Sequence, residues 1–276
     1  MATDLNFFEP LHMGHAIEQV TFVVQFEQGV DDTDLKLIHD AIEAEKDLPG
    51  KAEIRAMGFA FNLGLGPQVF PQGQTGMSGY VFSRTRADGI VEAELRVERN
   101  SILFRTILYE GWNKTWPISR KYLEKVIPHF ASKSGILAIG MMYLDKFVWR
   151  GAIGDCRASH LFQQNSKYIS SHVFDAPDLW HSHTGLFTRA DGYTKRLLSI
   201  NADCTDEQPV GDGPRRVVAI NTVQTDFLNQ QGYDRIELTK DNALTFVEQH
   251  IEALHVRAKD VLSGIISADM VKRIGL

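Results

Sequence analysis

Three groups of side chains in this sequence have types and spacings that could do chemistry. The first is the string Phe8-Glu9-Pro10-Leu11-His12-Met13-Gly14-His15. Two imidazoles so spaced can stabilise negative charge developing on a transferred phosphate, which makes His12 and His15 candidate phosphate contacts. The second group is His172, His181 and His183. A hairpin turning at Asp175 to Asp178 would set His172 opposite His181, with His183 two residues on along the same face. Cross-strand Cβ atoms lie about 5 Å apart, so three imidazoles could converge on zinc or a similar ion. A slip of one residue would turn His181 and His183 to the other face and leave ordinary exposed histidines. The third group is aromatic. Tyr109, Trp112 and Trp116 cluster just before Pro117, where they could anchor a ligand or a partner, or pack a corner between strand and helix.

The string His12-Met13-Gly14-His15 resembles the His-x-Gly-His of nucleotidylyltransferases, a resemblance that implies a parallel strand before the histidines and a helix after them. Here only seven residues precede Phe8 and the residues after His15 read as a strand, so a structural N-terminal segment is the competing reading. Two further pairs are weaker. Cys156 and His160 stand one helical turn apart without a third partner, and His250 and His255 have a spacing of five that suits ordinary helix positions. The glycines from Gly64 to Gly76 lack the Lys-Ser/Thr ending of a phosphate loop, so that stretch reads as a rim or contact loop. No catalytic set and no cofactor follow from these patterns. A metal at the hairpin histidines is the single ion they suggest.

The elements that must position these residues follow from periodicity. Ile17 to Phe26 is β-branched and aromatic, a strand, and the following segment repeats Leu35, Ile38 and Ile42 at helical spacing behind Asp and Thr caps. A strand in AEIRAMGFAFNLG, then GYVFSRT, IVEAELRVER and SILFRTILY, make a meander with Ala87-Asp88-Gly89 and Asn100 at its turns. A helix over ISRKYLEKVIPHFAS closes the half, and Pro128 should kink or end it. The second half restarts with ILAIGMMYLDKFVW and a polar segment holding at most one helical turn. It goes on with strands in KYISSHVF, LWHSHTGLFTR, YTKRLLSINADC and RRVVAINTVQTDF, and ends in a long helix from about Asp241 to Ser263.

The element order thus repeats, and Thr85-Arg86-Ala87-Asp88-Gly89 recurs in letters as Thr188-Arg189-Ala190-Asp191-Gly192 at the same slot. The expectation is an α+β chain with an N-terminal segment at residues 1–15 and two pseudo-repeated β-α-β4-α units, 16–134 and 135–276. The two would form a curved antiparallel sheet with long helices on one face. Such a tandem unit resembles the TATA-binding-protein-like architecture, a likeness of fold that does not set function. One unit alone would leave an open edge and half an apolar face exposed.

Composition narrows the function classes. Acidic residues outnumber basic ones, 35 to 29, for a net charge of −6, which argues against nucleic acid. Arg84, Arg86, Arg96, Arg99 and Arg105 fall on neighbouring strands, but Glu92, Glu94 and Glu98 interleave with them as cross-strand pairs. Two cysteines make no disulfide framework, the start has no basic-then-apolar leader, and no run reaches the roughly 18 apolar residues of a membrane span. A cytoplasmic chain without membrane contact is the expectation.

IEQVTFVVQF, YEGWNKTWP, IGMMYLDKFV and IEALHVRAKDVLSGIISADM together resemble an uncharacterised bacterial protein family of similar length and sporadic distribution. Where that family tends to carry an Arg-Tyr-Ile-Asn-like segment, this chain reads Met142-Tyr143-Leu144-Asp145. The resemblance implies no activity, cofactor or catalytic residue, and suggests a gene that travels with mobile or defence loci. The leading functional expectation is a non-enzymatic module that binds a protein, a second copy of itself, or a small ligand. A nucleotide or phosphoester enzyme using His12/His15 or the histidine metal site is the alternative, and nucleic-acid binding the third. A buried pocket with converging His, Asp or Glu side chains would turn the reading toward catalysis.

Overall fold

Among the described residues, runs of β-branched and aromatic residues form ten strands that hydrogen-bond into a single antiparallel sheet, and with five helices they make a mixed α+β protein. The computed structural model describes residues 8–55, 77–192, 194–209, 213–234, 236 and 238–276. In chain order the elements of the N-terminal half are β1 (Phe8–Pro10), β2 (Ile17–Phe26), α1 (Asp32–Glu43), β3 (Gly50–Arg55), β4 (Met77–Thr85), β5 (Val91–Glu98), β6 (Ser101–Thr106) and α2 (Trp112–Ala131). There follow β7 (Ile136–Trp149), two short 3-10 turns, α3 (His172–Asp175), β8 (Trp180–Arg189), β9 (Lys195–Glu207), β10 (Arg215–Phe227), α4 (Lys240–Ser263) and α5 (Ala268–Arg273). The sheet order is β3-β4-β5-β6-β2-β7-β10-β9-β8, with β1 paired to the far end of β7.

Alternation along the strands decides which face is covered. Val20, Phe22, Val24 and Phe26 of β2 join Leu95 and Val97 of β5, Ile102 and Phe104 of β6, and Ile139, Met141 and Tyr143 of β7 in one core. The helices close this core: Leu35, Ile38 and Ile42 of α1, Tyr122 to Phe130 of α2, and Val247, Ile251 and Leu254 of α4. A second core lies further along, where Phe147 and Trp149 of β7 meet Leu198, Ile200 and Ala202 of β9, Val218 and Ile220 of β10, and Val261 and Leu262 at the end of α4.

Helix ends follow capping chemistry. The Asp31 side chain accepts from the backbone N–H groups of Thr33 and Asp34, and Thr239 with Asn242 forms a capping box at α4.

Three expectations are corrected. KYISSHVF is not a strand: His172–Asp175 is a single helical turn, Val173 is buried in the second core, and among the described residues the strands after β7 are β8, β9 and β10. Helix α2 begins at Trp112, six residues earlier than periodicity suggests, because Trp112 and Trp116 stack on each other at 5.6 Å and pack against the core from its first turns. Pro128 does not end it, since Ile127 and Phe130 are fully buried on either side and hold the last turn on the sheet.

The glycine-rich stretch 64–76 lies outside the described residues. The arginines of the first meander meet carboxylates, with Arg84 on Glu92 at 3.3 Å, Arg105 on Glu94 at 3.2 Å, Arg96 on Glu98 at 3.5 Å, Arg86 on Asp88 at 2.7 Å, and Arg99 on Asp32. Among the described residues no helix is long and apolar enough to cross a membrane.

Candidate functional site

The inward row of β7 reads Ile139, Met141, Tyr143, Asp145, Phe147 and Trp149. The first three side chains belong to one core and the last two to the other. Asp145 therefore sits at the seam between them, where a cavity of about 370 Å³ opens.

The walls come from five places in the chain, counting Ile274, Gly275 and Leu276 after α5. Tyr143 and Asp145 of β7 and Thr222 of β10 contribute from the sheet. His255, Ala258 and Leu262 project from α4, with Lys259 exposed at the rim. Tyr109, Glu110 and Trp112 enter from the start of α2, and Met13, Gly14, His15 and Ile17 from the chain leading into β2.

That last segment is an excursion from the sheet. Leu11 N donates to the Lys146 carbonyl (2.9 Å) and Lys146 N donates to the Ala16 carbonyl (2.8 Å), so the chain leaves β7 and rejoins it at one residue. The four residues between turn on His12 N to His15 O (3.2 Å), with Gly14 at φ +90°, a conformation that a side chain would strain. The excursion carries the two histidines to the cavity mouth, their rings 4.8 Å apart, and His15 meets Tyr109 edge-on at 5.4 Å. It leads into a strand of an antiparallel sheet and not into a helix N-terminus, so the setting that His12 and His15 would need to hold a phosphate is not formed here.

Electrostatics make the site unusual. Asp145 is 3% exposed, and among the described residues its Oδ1 has no hydrogen-bond partner. Burial alone pushes its carboxyl up to about 7. Thr222 is equally buried and its hydroxyl is also unpartnered. The Tyr143 hydroxyl lies 2.9 Å from Nδ1 of His255; with the tyrosine donating, Nδ1 accepts and Nε2 carries the imidazole proton. Burial drives His255 down to about 4, which keeps it neutral, and raises Tyr143 well above its ordinary value. His15 is likewise lowered, by burial first and then by His12. The Trp112 ring stacks flat on His255 at 3.9 Å and its Nε1 donates to Glu252 at 2.8 Å, so both rings are held in place.

Of the aromatic candidates, Tyr109 and Trp112 line this cavity, while Trp116 packs edge-on against Phe22 in the core. The histidine metal site is a correction. His172 begins α3, its Nε2 faces the His181 carbonyl at 3.4 Å, and His181 instead binds Asp203 at 2.5 Å. His183 lies beyond, exposed on β8. The predicted hairpin fails because Val173 pulls this segment into a helical turn. Among the described residues the one group of His, Cys and carboxylates close enough to share an ion is His39, Asp40 and Glu43, within α1. Cys156 is buried beside Cys204, and His160 stacks on Trp149 at 5.1 Å, so they do not form a thiol–base pair.

Residues that sequence reasoning missed are Tyr143, Asp145, Thr222 and His255. A signal for Asp145 was present: a carboxylate on the apolar row of a strand too hydrophobic to lie at a surface. His255 carried a fainter one, since it falls on the buried stripe of α4 with Leu254 and Ala258. Comparison with protein-family models, with curated proteins and with solved structures finds no match.

Proposed function

We propose that this chain is a recognition module that binds a small molecule in the cavity at the seam of its two cores. The observation that carries the reading is that three residues lining the cavity hold a buried polar atom with no hydrogen-bond partner among the described residues: Asp145 Oδ1, the Thr222 hydroxyl and His15 Nδ1. Leaving such groups unsatisfied costs a folded protein about 1–3 kcal/mol each, and a ligand that pairs with them offsets that cost. The volume of about 370 Å³ falls within the range of small-ligand sites, and the walls are largely apolar and aromatic.

In the same proposal, residues 16–134 and 135–276 are two copies of one unit, an arrangement resembling the TATA-binding-protein-like architecture. In support, β2 and β7 open the two halves and pair with each other, and β6-β5-β4 and β10-β9-β8 run outward from them. The repeated Thr-Arg-Ala-Asp-Gly segment joins β4 to β5 and β8 to β9. The cavity then belongs to the junction of the copies, where neither copy could form it alone.

A second reading, proton-transfer catalysis, is favoured by one observation: His15, Asp145 and His255 converge on the cavity, burial raising the carboxyl and lowering both imidazoles, as suits an acid and a base. A phosphoester substrate fits less well, because Lys259 is the one permanently cationic side chain among the described lining residues and it sits at the rim. The test is a ligand-observed NMR screen of fragments against the wild type and Ala258→Trp, which fills the cavity. Fragments lost from the variant, with its melting temperature retained, support binding here. Fragments that bind both proteins equally overturn it. A fragment recovered chemically altered from the wild type points to catalysis.

A further inference from the structure

Resting on the reading of this cavity as a binding site, we propose that its ligand is a protonated primary or secondary amine with a compact apolar or aromatic body. The lining presents an unpaired carboxylate oxygen at Asp145, an unpaired hydroxyl at Thr222 that can accept, and an unpaired Nδ1 at His15 that accepts when Nε2 carries the ring proton. Asp145 makes no ion pair among the described residues, and neither its Oδ1 nor the Thr222 hydroxyl has a partner. An ammonium group carries up to three N–H donors in a small volume and accepts none, which complements such a floor. Of the other polar groups on the walls, Tyr143 is engaged with His255, and Glu110 with Lys114 at 2.9 Å.

The aromatic walls favour the same charge. Tyr109 and Trp112 flank the opening, and the faces of such rings attract cations. Ile17, Ala258 and Leu262 leave an apolar region for the remainder of the ligand. Other classes are disfavoured by the same chemistry. An anion would meet the Asp145 carboxylate without a buried cation to offset it. A neutral donor could hydrogen-bond to that carboxylate but would leave its charge uncompensated in an apolar setting. A calcium-like ion needs six or more oxygen ligands, far more than this floor offers.

The test uses three probes that share a phenethyl body and differ in the head group: phenethylamine, 2-phenylethanol and 3-phenylpropionate. Each is titrated calorimetrically into the wild type, Asp145→Asn and Thr222→Val. The amine is expected to bind the wild type about 30-fold or more tightly than the alcohol, with the carboxylate weakest. Asp145→Asn should erase the amine's advantage while leaving the alcohol's affinity in place, and Thr222→Val should lower amine affinity by a smaller factor. If the alcohol or the carboxylate binds as tightly as the amine, or if the amine's advantage survives in Asp145→Asn, the amine assignment falls and the binding site stands. If the wild type holds none of the three, the amine assignment also falls, and the fragment screen decides separately whether the cavity binds anything.

Discussion

Replacing Asp145 by asparagine should stabilise this protein, and by an amount that depends on pH. An aspartate whose carboxyl rises from 3.8 to about 7 on folding retains, between those values, a proton that the unfolded chain has released. Its contribution to stability is therefore fully present below pH 3.8, declines as pH rises, and levels off above 7. At ~1.4 kcal/mol per pH unit the total decline is about 4 kcal/mol, a large share of a typical folding free energy. Asparagine has the same shape and stays neutral, so the variant escapes the decline. Urea denaturation of both proteins at pH 4.5 and pH 8.5 is the assay. The stability gap should widen in the variant's favour by about 3 kcal/mol from the lower to the higher pH, equivalent to about 6 °C or more in Tm for a chain of this size. A gap that stays constant across the two conditions would refute the claim that Asp145 is buried without a partner. A variant less stable at pH 8.5 would show that a cation already pairs with it.

Two other outcomes follow from the geometry. His255 is held at about 4 in the folded chain against 6.5 unfolded, so its contribution is present above pH 6.5 and is lost as pH falls toward 4. Between pH 8 and pH 4, His255→Gln should lose about 3 kcal/mol less stability than the wild type, read by the same denaturation assay; equal losses would place the imidazole in water. Elsewhere under α4, Asp226 is fully buried, paired with Arg196 through two bonds of 2.5 and 2.7 Å, and 2.7 Å from His250. Arg196→Met should cost about 3–5 kcal/mol at pH 7, and the double variant with Asp226→Leu should recover much of that loss, since the penalty lies in the stranded charge.

The sequence by itself determined the local elements. Apolar and β-branched runs marked β2, β4, β5, β6, β7, β9 and β10, and the stripe at Val247, Ile251 and Leu254 marked α4, because side-chain periodicity and backbone conformation are coupled residue by residue. It also drew Tyr109, Trp112 and His15 to notice as residue types suited to contact. It could not say that these three belong together. Their union needs β2 to pair with β7, more than a hundred residues away, and needs the His12–His15 turn to leave the sheet at Lys146. The histidine trio failed for the complementary reason: its geometry assumed a hairpin, and burial of Val173 in a distant core chose a helical turn. Asp145 shows the division most plainly. Its place on an apolar row is written in the letters, but whether a buried carboxylate finds a partner depends on which helix and which strand pack across from it. Here the two cores part at its position and leave it facing an open cavity, a fact that exists only in three dimensions.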